Sequence, residues 1–407
     1  MKVALIDPSW FTGPYDTALA TGLAEAGAEV RLYAGNVDAD DPMRGHPTLI
    51  EHFYTGLTGS PLARLPKPIF RGLKGLSHIG GMARLAAAFG RWRPDIIHFQ
   101  WAPLPVVDRR FLPALRRLAP LVLTVHDSTP FNGNPSARLQ AIGALTIMNE
   151  FDALIVHTDQ AMRRLGAAGI GGDRLVRVPH GPLHDVPARA DDVEDRDLAD
   201  PSVEFLLFGK LKHYKGIDVM IRALAMLTPE QRARAHVRVI GKPYMEVVPL
   251  LELVRAGGVE RCFTFDLRFV EDDEIPRLLA QASAAVFPYR EIDASGVLMA
   301  AIMAGRPIIA SAIGNFAEML RDGEDALLVP PDDAAALAQA LGRFIDDAAL
   351  RERLGAGTQA LRVAMPSWAE IGRTTRSLYE SLIVDAARRA PFRSSAEAAP
   401  LRPANGE

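Results

Sequence analysis

Short apolar runs alternate with longer stretches of helical periodicity through the first half of the chain. The runs are VALI (3–6), EVRLY (29–33), DIIHF (95–99), LVLTV (121–125), ALIVH (153–157) and RLVRV (174–178). The stretches between them, such as TALATGLAEAG after the first run, repeat apolar residues at the spacing of a helix. Continuous apolar strands separated by helices are typical of a parallel sheet that is covered on both faces. The first half therefore predicts a doubly wound α/β domain.

The second half of the chain repeats this alternation. Its apolar runs are VEFLLF (203–208), VRVI (237–240), CFTF (262–265), AAVF (284–287), PIIA (307–310) and ALLV (326–329). They predict a second doubly wound sheet of about the same size. Ligands of such sheets bind at the carboxyl ends of the strands, and a cleft between two such domains is a natural binding site.

An acidic segment separates the two halves. Residues 184–201 carry seven acidic residues and few large apolar side chains, so they cannot bury enough surface to form a core. The predicted organisation is an N-terminal domain (1–184), an acidic linker (185–201), a C-terminal domain (202–365), a helix that packs back on the N-terminal domain (366–390) and a disordered tail (391–407).

Composition narrows the class of protein. The net charge of −3 argues against a globally basic nucleic-acid binder. Cys262 is the only cysteine, which excludes an internal disulfide and fits a reducing cytoplasm. The N-terminus lacks the apolar core of a secretory signal, and no run approaches the roughly 18 to 20 apolar residues that span a bilayer. We expect a cytoplasmic protein that can also lie on the inner face of the plasma membrane.

The membrane hypothesis comes from the segment between Ser60 and Pro94, which is cationic and contains no acidic residue. Apolar residues alternate with its seven basic ones, which are Arg64, Lys67, Arg71, Lys74, Arg84, Arg91 and Arg93. Such a segment can rest on an anionic bilayer and gain about 1 kcal/mol per basic residue near the surface. The alternative is a solvated helix face that follows a Pro-rich loop.

Two electropositive elements are predicted at the carboxyl edge of the second sheet. GKLKHYKG (209–216) is a glycine-bracketed loop with three lysines, which suits a phosphate, and the alternative is a solvated basic turn. Its spacing differs from a P-loop, because no Ser or Thr follows a Gly-Lys pair to hold magnesium. The second element is a helix that begins near Ser295 and Gly296, where free N–H groups attract an anion. The loop before that helix carries Arg290, Glu291 and Asp293, so we expect a charged ligand there.

Histidines are predicted at the carboxyl edge of the first sheet. His126 and Asp127 follow a strand, where an imidazole could bind a substrate hydroxyl or move a proton near neutral pH. A lone strand-end histidine is more often only a polar cap. His98, His157 and His180 are weaker candidates at similar positions, and their spacings suggest no zinc motif. The turn around Gly13 lacks GxGxxG, which counts against a dinucleotide-dependent oxidoreductase.

Residues 1–385 resemble the retaining glycosyltransferases of the GT-B fold, in the large family four of sugar-nucleotide-dependent enzymes. The motifs that carry the resemblance are FGKLKHYKGIDVMIRAL, LRFVEDDEIPRLLAQASAAVFPYR, AIGNFAEMLRDGEDALLVPPDD and VPHGP, which has His180 where asparagine is frequent. The resemblance implies that Lys210 and Lys215 grip the donor diphosphate and that His126 contacts the sugar. It also implies a GT-B fold of two Rossmann-like domains with the cleft between them.

One departure from the family pattern concerns a pair of glutamates separated by seven residues. The corresponding positions here are Ile292 and Ala300. Glu291 or Asp293 could replace the first carboxylate after a small loop shift, but nothing replaces the second. A charge-assisted ribose contact of about 1.5 to 3 kcal/mol would then be missing. The Ser-Gly-Val form of the loop resembles a divergent subgroup.

The resemblance implies sugar transfer with retention of configuration, from a UDP- or GDP-sugar to an acceptor glycan or lipid-linked sugar, without a cofactor or a metal ion. The implied catalytic residues are His126, Glu291, Lys210 and Lys215. The implied donor-binding residues are Gly13, Gly209, Gly241, Arg268, Phe269, Val270, Asp293, Ser295, Gly296 and Val297. Two alternatives remain, a catalytically silent sugar-nucleotide-binding protein and a sugar-nucleotide 2-epimerase, although the carboxylate set of the latter is not evident.

Overall fold

The computed structural model describes residues 1–35, 37, 41, 43–55, 57, 60–128, 143–183 and 196–389. The strands are β1 (Lys2–Asp7), β2 (Glu29–Gly35), β3 (Leu49–Phe53), β4 (Ile96–Phe99), β5 (Leu121–Thr124), β6 (Ala153–Val156), β7 (Leu175–Arg177), β8 (Val203–Phe208), β9 (Ala235–Ile240), β10 (Phe263–Asp266), β11 (Ala284–Phe287), β12 (Ile308–Ser311) and β13 (Ala326–Val329).

The α-helices pack on both faces of the sheets. They are α1 (Gly13–Glu25), α2 (Lys67–Trp92), α3 (Pro105–Asp108), α4 (Leu112–Arg116), α5 (Ala144–Met148), α6 (Asp159–Ala167), α7 (Ile217–Ala225), α8 (Pro229–Arg234), α9 (Val248–Ala256), α10 (Ile275–Ala280), α11 (Gly296–Met303), α12 (Gly314–Met319), α13 (Ala334–Asp346), α14 (Ala348–Ala364) and α15 (Trp368–Arg389).

The strands form two parallel sheets, as the apolar runs predict. The first has the order β3-β2-β1-β4-β5-β6-β7 and the second the order β10-β9-β8-β11-β12-β13. Both sheets reverse their strand order next to the first strand of the domain, and this reversal leaves a crevice at the carboxyl ends of the strands. Strands such as β4, β5, β6 and β11 are buried along their whole length, which explains their continuous apolar runs. The predicted fold of two doubly wound α/β domains is confirmed.

Strand β3 was not predicted from the sequence. Among the described strands it lies at the edge of the first sheet, where it pairs with β2, and it is buried mainly at Phe53. Its residues LIEHF therefore show no continuous apolar run. One strand-end prediction also needs correction, because His98 lies inside β4 and is fully buried.

Helix α15 returns to the first domain and packs along α1. The two backbones approach so closely at Gly22 and Gly372 that a methyl group on Gly372 would overlap the Gly22 carbonyl. The indole Nε1 of Trp368 donates to the Pro182 carbonyl at 2.5 Å. Glycine at the crossing thus allows the close helix contact that holds the end of the chain on its beginning.

The predicted linker lies partly, and the predicted tail wholly, outside the described residues. The described end of the linker is attached to the second domain. There the buried guanidinium of Arg351 donates to the carbonyls of Leu198 at 2.6 Å and Asp200 at 3.1 Å.

The cationic segment forms α2 after a short 3-10 turn. Ile69, Leu76 and Ile79 are exposed on this helix at spacings of seven and three residues, which place them on one face. Within the described residues, no helix has the length and apolar character needed to cross a bilayer.

Candidate functional site

The lysine loop after β8 contains one buried and two accessible ammonium groups. Lys210 is exposed and Lys212 half-buried, whereas Lys215 is only 6% exposed. The Lys215 Nζ donates to the Phe208 carbonyl at 2.7 Å and lies 5.2 Å from the centre of the Tyr289 ring. Burial, with the nearby charges of Lys212 and Lys210, lowers the Lys215 pKa to about 7. The loop thus brings three lysines together at the carboxyl end of β8.

The start of α11 lies beside this loop. Ser295 is the N-cap residue and accepts from the Leu298 N–H at 3.3 Å, while Gly296 and Val297 begin the helix. A side chain on Gly209 would begin 3.0 Å from the Lys215 Nζ and 3.4 Å from a methyl carbon of Val297. The buried ammonium and the helix N-terminus therefore meet at one point, as the sequence analysis predicts for a diphosphate site.

Two glycines shape that point. Gly209 has φ +96°, and a methyl group on Gly241 would overlap the Gly209 carbonyl oxygen. Both positions require glycine, the first for its left-handed backbone and the second for the close approach of two chains. Gly241 thus supports the loop from the neighbouring strand.

The charged loop before α11 is largely committed to protein contacts. Arg290 donates to both carboxylate oxygens of Asp218 at 2.8 and 2.7 Å, and it also bonds Asp332 at 3.0 Å. These partners raise the pKa of the Arg290 guanidinium. Arg290 further donates to the His213 carbonyl at 3.1 Å and so braces the lysine loop. Glu291, the expected sugar-orienting carboxylate, lies half-buried in the same loop.

The segment predicted to lie beside a nucleobase follows β10. The Arg268 guanidinium is held by Asp266 at 2.9 Å and by Glu274 at 2.7 and 2.8 Å. Val270 is buried in the core of the second domain, whereas Phe269 is 54% exposed. Phe269 thus offers the accessible ring face of this segment.

The first domain faces the site with His126. Its imidazole stacks on Trp101 with ring centres 5.4 Å apart, and its Nε2 bonds Gln100 Oε1 at 3.1 Å. The indole of Trp101 also donates to the Thr12 hydroxyl at 3.0 Å, next to Gly13 at the start of α1. His126, which is expected to contact the sugar, is therefore held in place by polar and aromatic side chains of the first domain.

Direct hydrogen bonds connect the two domains around this site. The buried carboxylate of Asp293 accepts from the Ser128 N–H at 2.5 Å and from Arg164 Nη1 at 3.0 Å. Asp293, predicted as a donor-binding residue, thus contacts the loop that follows His126. This places the helix tip and His126 on opposite walls of one cleft.

A second connection joins the N-termini of two helices. The Glu318 carboxylate on α12 accepts from the Asp159 and Gln160 N–H groups of α6 at 2.9 and 2.7 Å. In return, Gln160 Oε1 accepts from the Gly314 N–H at the start of α12 at 2.7 Å. Each helix therefore uses a side chain of the other domain to satisfy its first N–H groups.

Sequence reasoning missed Arg164, Gln160 and Glu318, and it gave little weight to His157 and His180. Both histidines lie just past a strand, which was the available signal. Within the described residues, no group of three or more His, Cys, Asp or Glu side chains is arranged to hold a metal ion.

Family comparison covers both domains. Residues 12–181 match the glycosyl transferase 4-like domain, and residues 202–347 match the family described as glycosyl transferases group 1.

Individual relatives agree with this assignment. The chain is 27% identical to a D-inositol 3-phosphate glycosyltransferase of Nocardioides sp. over 67% of its own length and 63% of that relative, so it spans less than two thirds of it. Its identity to a protein of the same name from Pseudarthrobacter chlorophenolicus is 26%, over 91% of this chain and 90% of the relative. Among solved structures, Anabaena HepE in complex with UDP and glucose has a TM-score of 0.71 at 20% identity, covering 94% of this chain and 100% of HepE. This last similarity supports the GT-B architecture.

Proposed function

We propose that this chain, whose two domains match the glycosyl transferase 4-like domain and the glycosyl transferases group 1, transfers a sugar from a nucleotide-diphosphate sugar to an acceptor. The observation that carries the proposal is the meeting of Lys215 with the start of α11, across a cleft from His126. The complexes of HepE with UDP and UDP-glucose favour a UDP-linked sugar as the first donor to test. GDP-linked sugars are the second choice.

The proposed mechanism rests on charge stabilisation. Cleavage of the bond between sugar and diphosphate develops negative charge on the departing phosphate. Lys210, Lys215 and the N–H groups at the tip of α11 would stabilise it without a metal ion or a cofactor. Losing one such donor typically costs about 2.7 to 4 kcal/mol in the transition state. An anion in this position would also restore the charge that burial removes from Lys215.

The sugar would lie between the helix tip and His126, with Glu291 to orient it and Phe269 stacked on the base. We propose that the anomeric configuration is retained, which the family resemblance supports. Proton NMR of the first product formed would show the configuration, and an inverted anomer would contradict this part of the proposal.

We also propose that the acceptor is a glycan or lipid-linked sugar and that the protein acts in polysaccharide or glycolipid biosynthesis. We propose further that helix α2 holds the protein on the cytoplasmic face of a membrane. The support is the exposed apolar face of α2, where Leu76 is 68% exposed, together with nearby basic side chains such as Arg71. The protein should co-sediment with anionic phosphatidylglycerol vesicles at low salt, and a smaller fraction of the Leu76→Ser variant should do so. Met226→Ser, which changes an exposed apolar residue of the second domain, is the matched control. Absence of sedimentation would favour a soluble acceptor.

A thermal-shift panel of UDP, GDP and their sugars tests the donor class. A ligand at 100 times its dissociation constant stabilises the folded protein by about 2.7 kcal/mol. Mass spectrometry of the same mixtures would then detect released nucleotide or a glycosylated product. If none of these nucleotides shifts the transition, the proposed function is refuted.

A catalytically silent sugar-nucleotide-binding protein is the second candidate. The observation that favours it is Ala300, which stands where the family commonly has its second glutamate and is only 1% exposed in the core. Binding of a UDP-sugar with neither hydrolysis nor transfer, across a panel of acceptors, would support this candidate over the enzyme.

A further inference from the structure

Three imidazole rings lie side by side at the carboxyl edge of the first sheet. The ring centres are 5.5 Å apart between His126 and His157 and 5.1 Å apart between His157 and His180. Tyr15 contacts all three rings at 4.9 to 5.3 Å. His157 is 6% exposed, whereas the two flanking histidines are half-buried. The three rings therefore form one cluster, with His157 as its most deeply buried member.

The partners of these rings determine where their protons are. His157 Nδ1 lies 3.0 Å from the Val178 carbonyl and His180 Nδ1 lies 2.7 Å from the Gly181 carbonyl. A carbonyl can only accept, so both rings carry the proton on Nδ1 and keep a lone pair on Nε2. By the same argument, the Gln100 oxygen fixes the proton of His126 on Nε2 and leaves Nδ1 as an acceptor. The cluster therefore offers three acceptor nitrogens.

The cluster is neutral. Burial lowers the pKa of His157 to about 4 and that of His180 to about 3, while it lowers the pKa of His126 well below its usual value. Among the described residues, Nε2 of His157 has no hydrogen-bond partner although it is buried. Buried polar atoms without a partner are rare, and a role in the chemistry of a site is one of their explanations.

The cluster lies on the side of the first domain that faces the second. The charge of Asp293 acts on His157, and it raises the pKa of that imidazole against the larger effect of burial. Leu183, three residues after His180, would be overlapped by a methyl group on Gly296 at the tip of α11. A sugar attached to a diphosphate at this tip would therefore extend toward the cluster.

We propose that His157 and His180, together with His126, bind hydroxyl groups of the transferred sugar. The inference rests on the proposed function, which locates the diphosphate at the tip of α11. Uncharged acceptor nitrogens accept hydrogen bonds from hydroxyl groups, whereas a carboxylate brings only further lone pairs. The preferred donor is therefore a neutral hexose, and a uronate is disfavoured.

Calorimetric titration with UDP and with UDP-glucose separates the sugar from the nucleotide. The His157→Phe variant keeps an aromatic ring but has no acceptor nitrogen. It should bind UDP within twofold of the wild type and UDP-glucose at least fivefold more weakly. His180→Phe should behave alike, and because its ring is half-buried it tests the inference even if His157→Phe does not fold. His236→Phe, on β9 of the second domain, is the matched control and should bind both probes as the wild type does.

The wild-type protein provides an independent arm of the experiment. UDP-glucuronate should bind at least tenfold more weakly than UDP-glucose. If UDP binds but both phenylalanine variants retain wild-type affinity for UDP-glucose, the histidine assignment is overturned while the proposed function stands. If UDP itself does not bind, the proposed function fails and this inference fails with it.

Discussion

Replacing Lys215 by methionine should stabilise the ligand-free protein while it weakens the binding of UDP. Methionine has nearly the same length as lysine but carries no charge, so it removes the cost of burying the ammonium group. The pKa of Lys215 falls from 10.5 in the unfolded chain to about 7 in the fold. At about 1.4 kcal/mol per pKa unit, this fall corresponds to about 5 kcal/mol.

Part of that gain is offset. The variant leaves the Phe208 carbonyl without its hydrogen bond from Nζ, which costs about 1 to 3 kcal/mol. The net expectation is a variant that is more stable by about 2 to 4 kcal/mol near pH 7. The unfolded chain holds the Lys215 proton up to pH 10.5, whereas the folded protein holds it only up to about pH 7. The destabilisation that comes from burying the ammonium group is therefore complete below pH 7. It disappears as the pH rises from 7 toward 10.5, so the wild type gains stability relative to the variant over this range.

Urea unfolding of both proteins at pH 6.5, 8 and 9.5 measures this difference. Circular dichroism is the appropriate probe, because all four tryptophans lie in the first domain or in α15 and would not report on the second domain. Calorimetry with UDP should show at least a tenfold loss of affinity in Lys215→Met. Lys210→Met is the matched control, since its exposed ammonium should leave stability unchanged and still weaken UDP binding. The reasoning is refuted if Lys215→Met is less stable than the wild type at pH 6.5 and has the same pH profile.

Three further substitutions test the cleft. Asp293→Asn removes the charge that pairs with Arg164 across the two domains. The variant should have an about tenfold higher KM for a UDP-sugar and a larger radius of gyration in X-ray scattering. An unchanged radius would show that Asp293 does not hold the two domains together. Glu318→Gln keeps the size of the side chain but weakens the cap on α6, so the same two measurements should change in the same direction and by a smaller amount. Gly216→Ala should cost more than about 2 kcal/mol in unfolding free energy, because φ is +65° and the new methyl would overlap the Pro288 carbonyl; wild-type stability would contradict the described loop.

Local sequence signals were enough to predict both sheets, apart from the edge strand β3, and the start of helix α11. Continuous apolar runs mark strands that are buried on both faces, and the Ser-Gly start of α11 marks a helix N-terminus from neighbouring residues alone. The burial of Lys215 was not predictable in this way, because the Tyr289 ring beside it comes from a distant part of the chain.

The same limit applies to the charged side chains of the site. Arg290 pairs with Asp218, 72 residues earlier, and Asp293 pairs with Arg164, 129 residues earlier. Sequence reasoning could identify the charge density of their loop but not which charges the fold itself uses. His98 shows a related limit, because a histidine inside an apolar run becomes a buried strand residue when Thr124 and Tyr379 supply its hydrogen bonds.

The return of α15 to the first domain has a consequence for how this protein can be divided. The polypeptide passes between the domains twice, once before β8 and once after α14, so a single cut cannot yield two complete halves. A fragment that stops at the first passage would expose the face of α1 that Trp368 and Tyr379 cover. A chimera that takes its second domain from a relative should therefore keep α15 together with the original first domain. The exchanged domain then needs two junctions, one before β8 and one after α14.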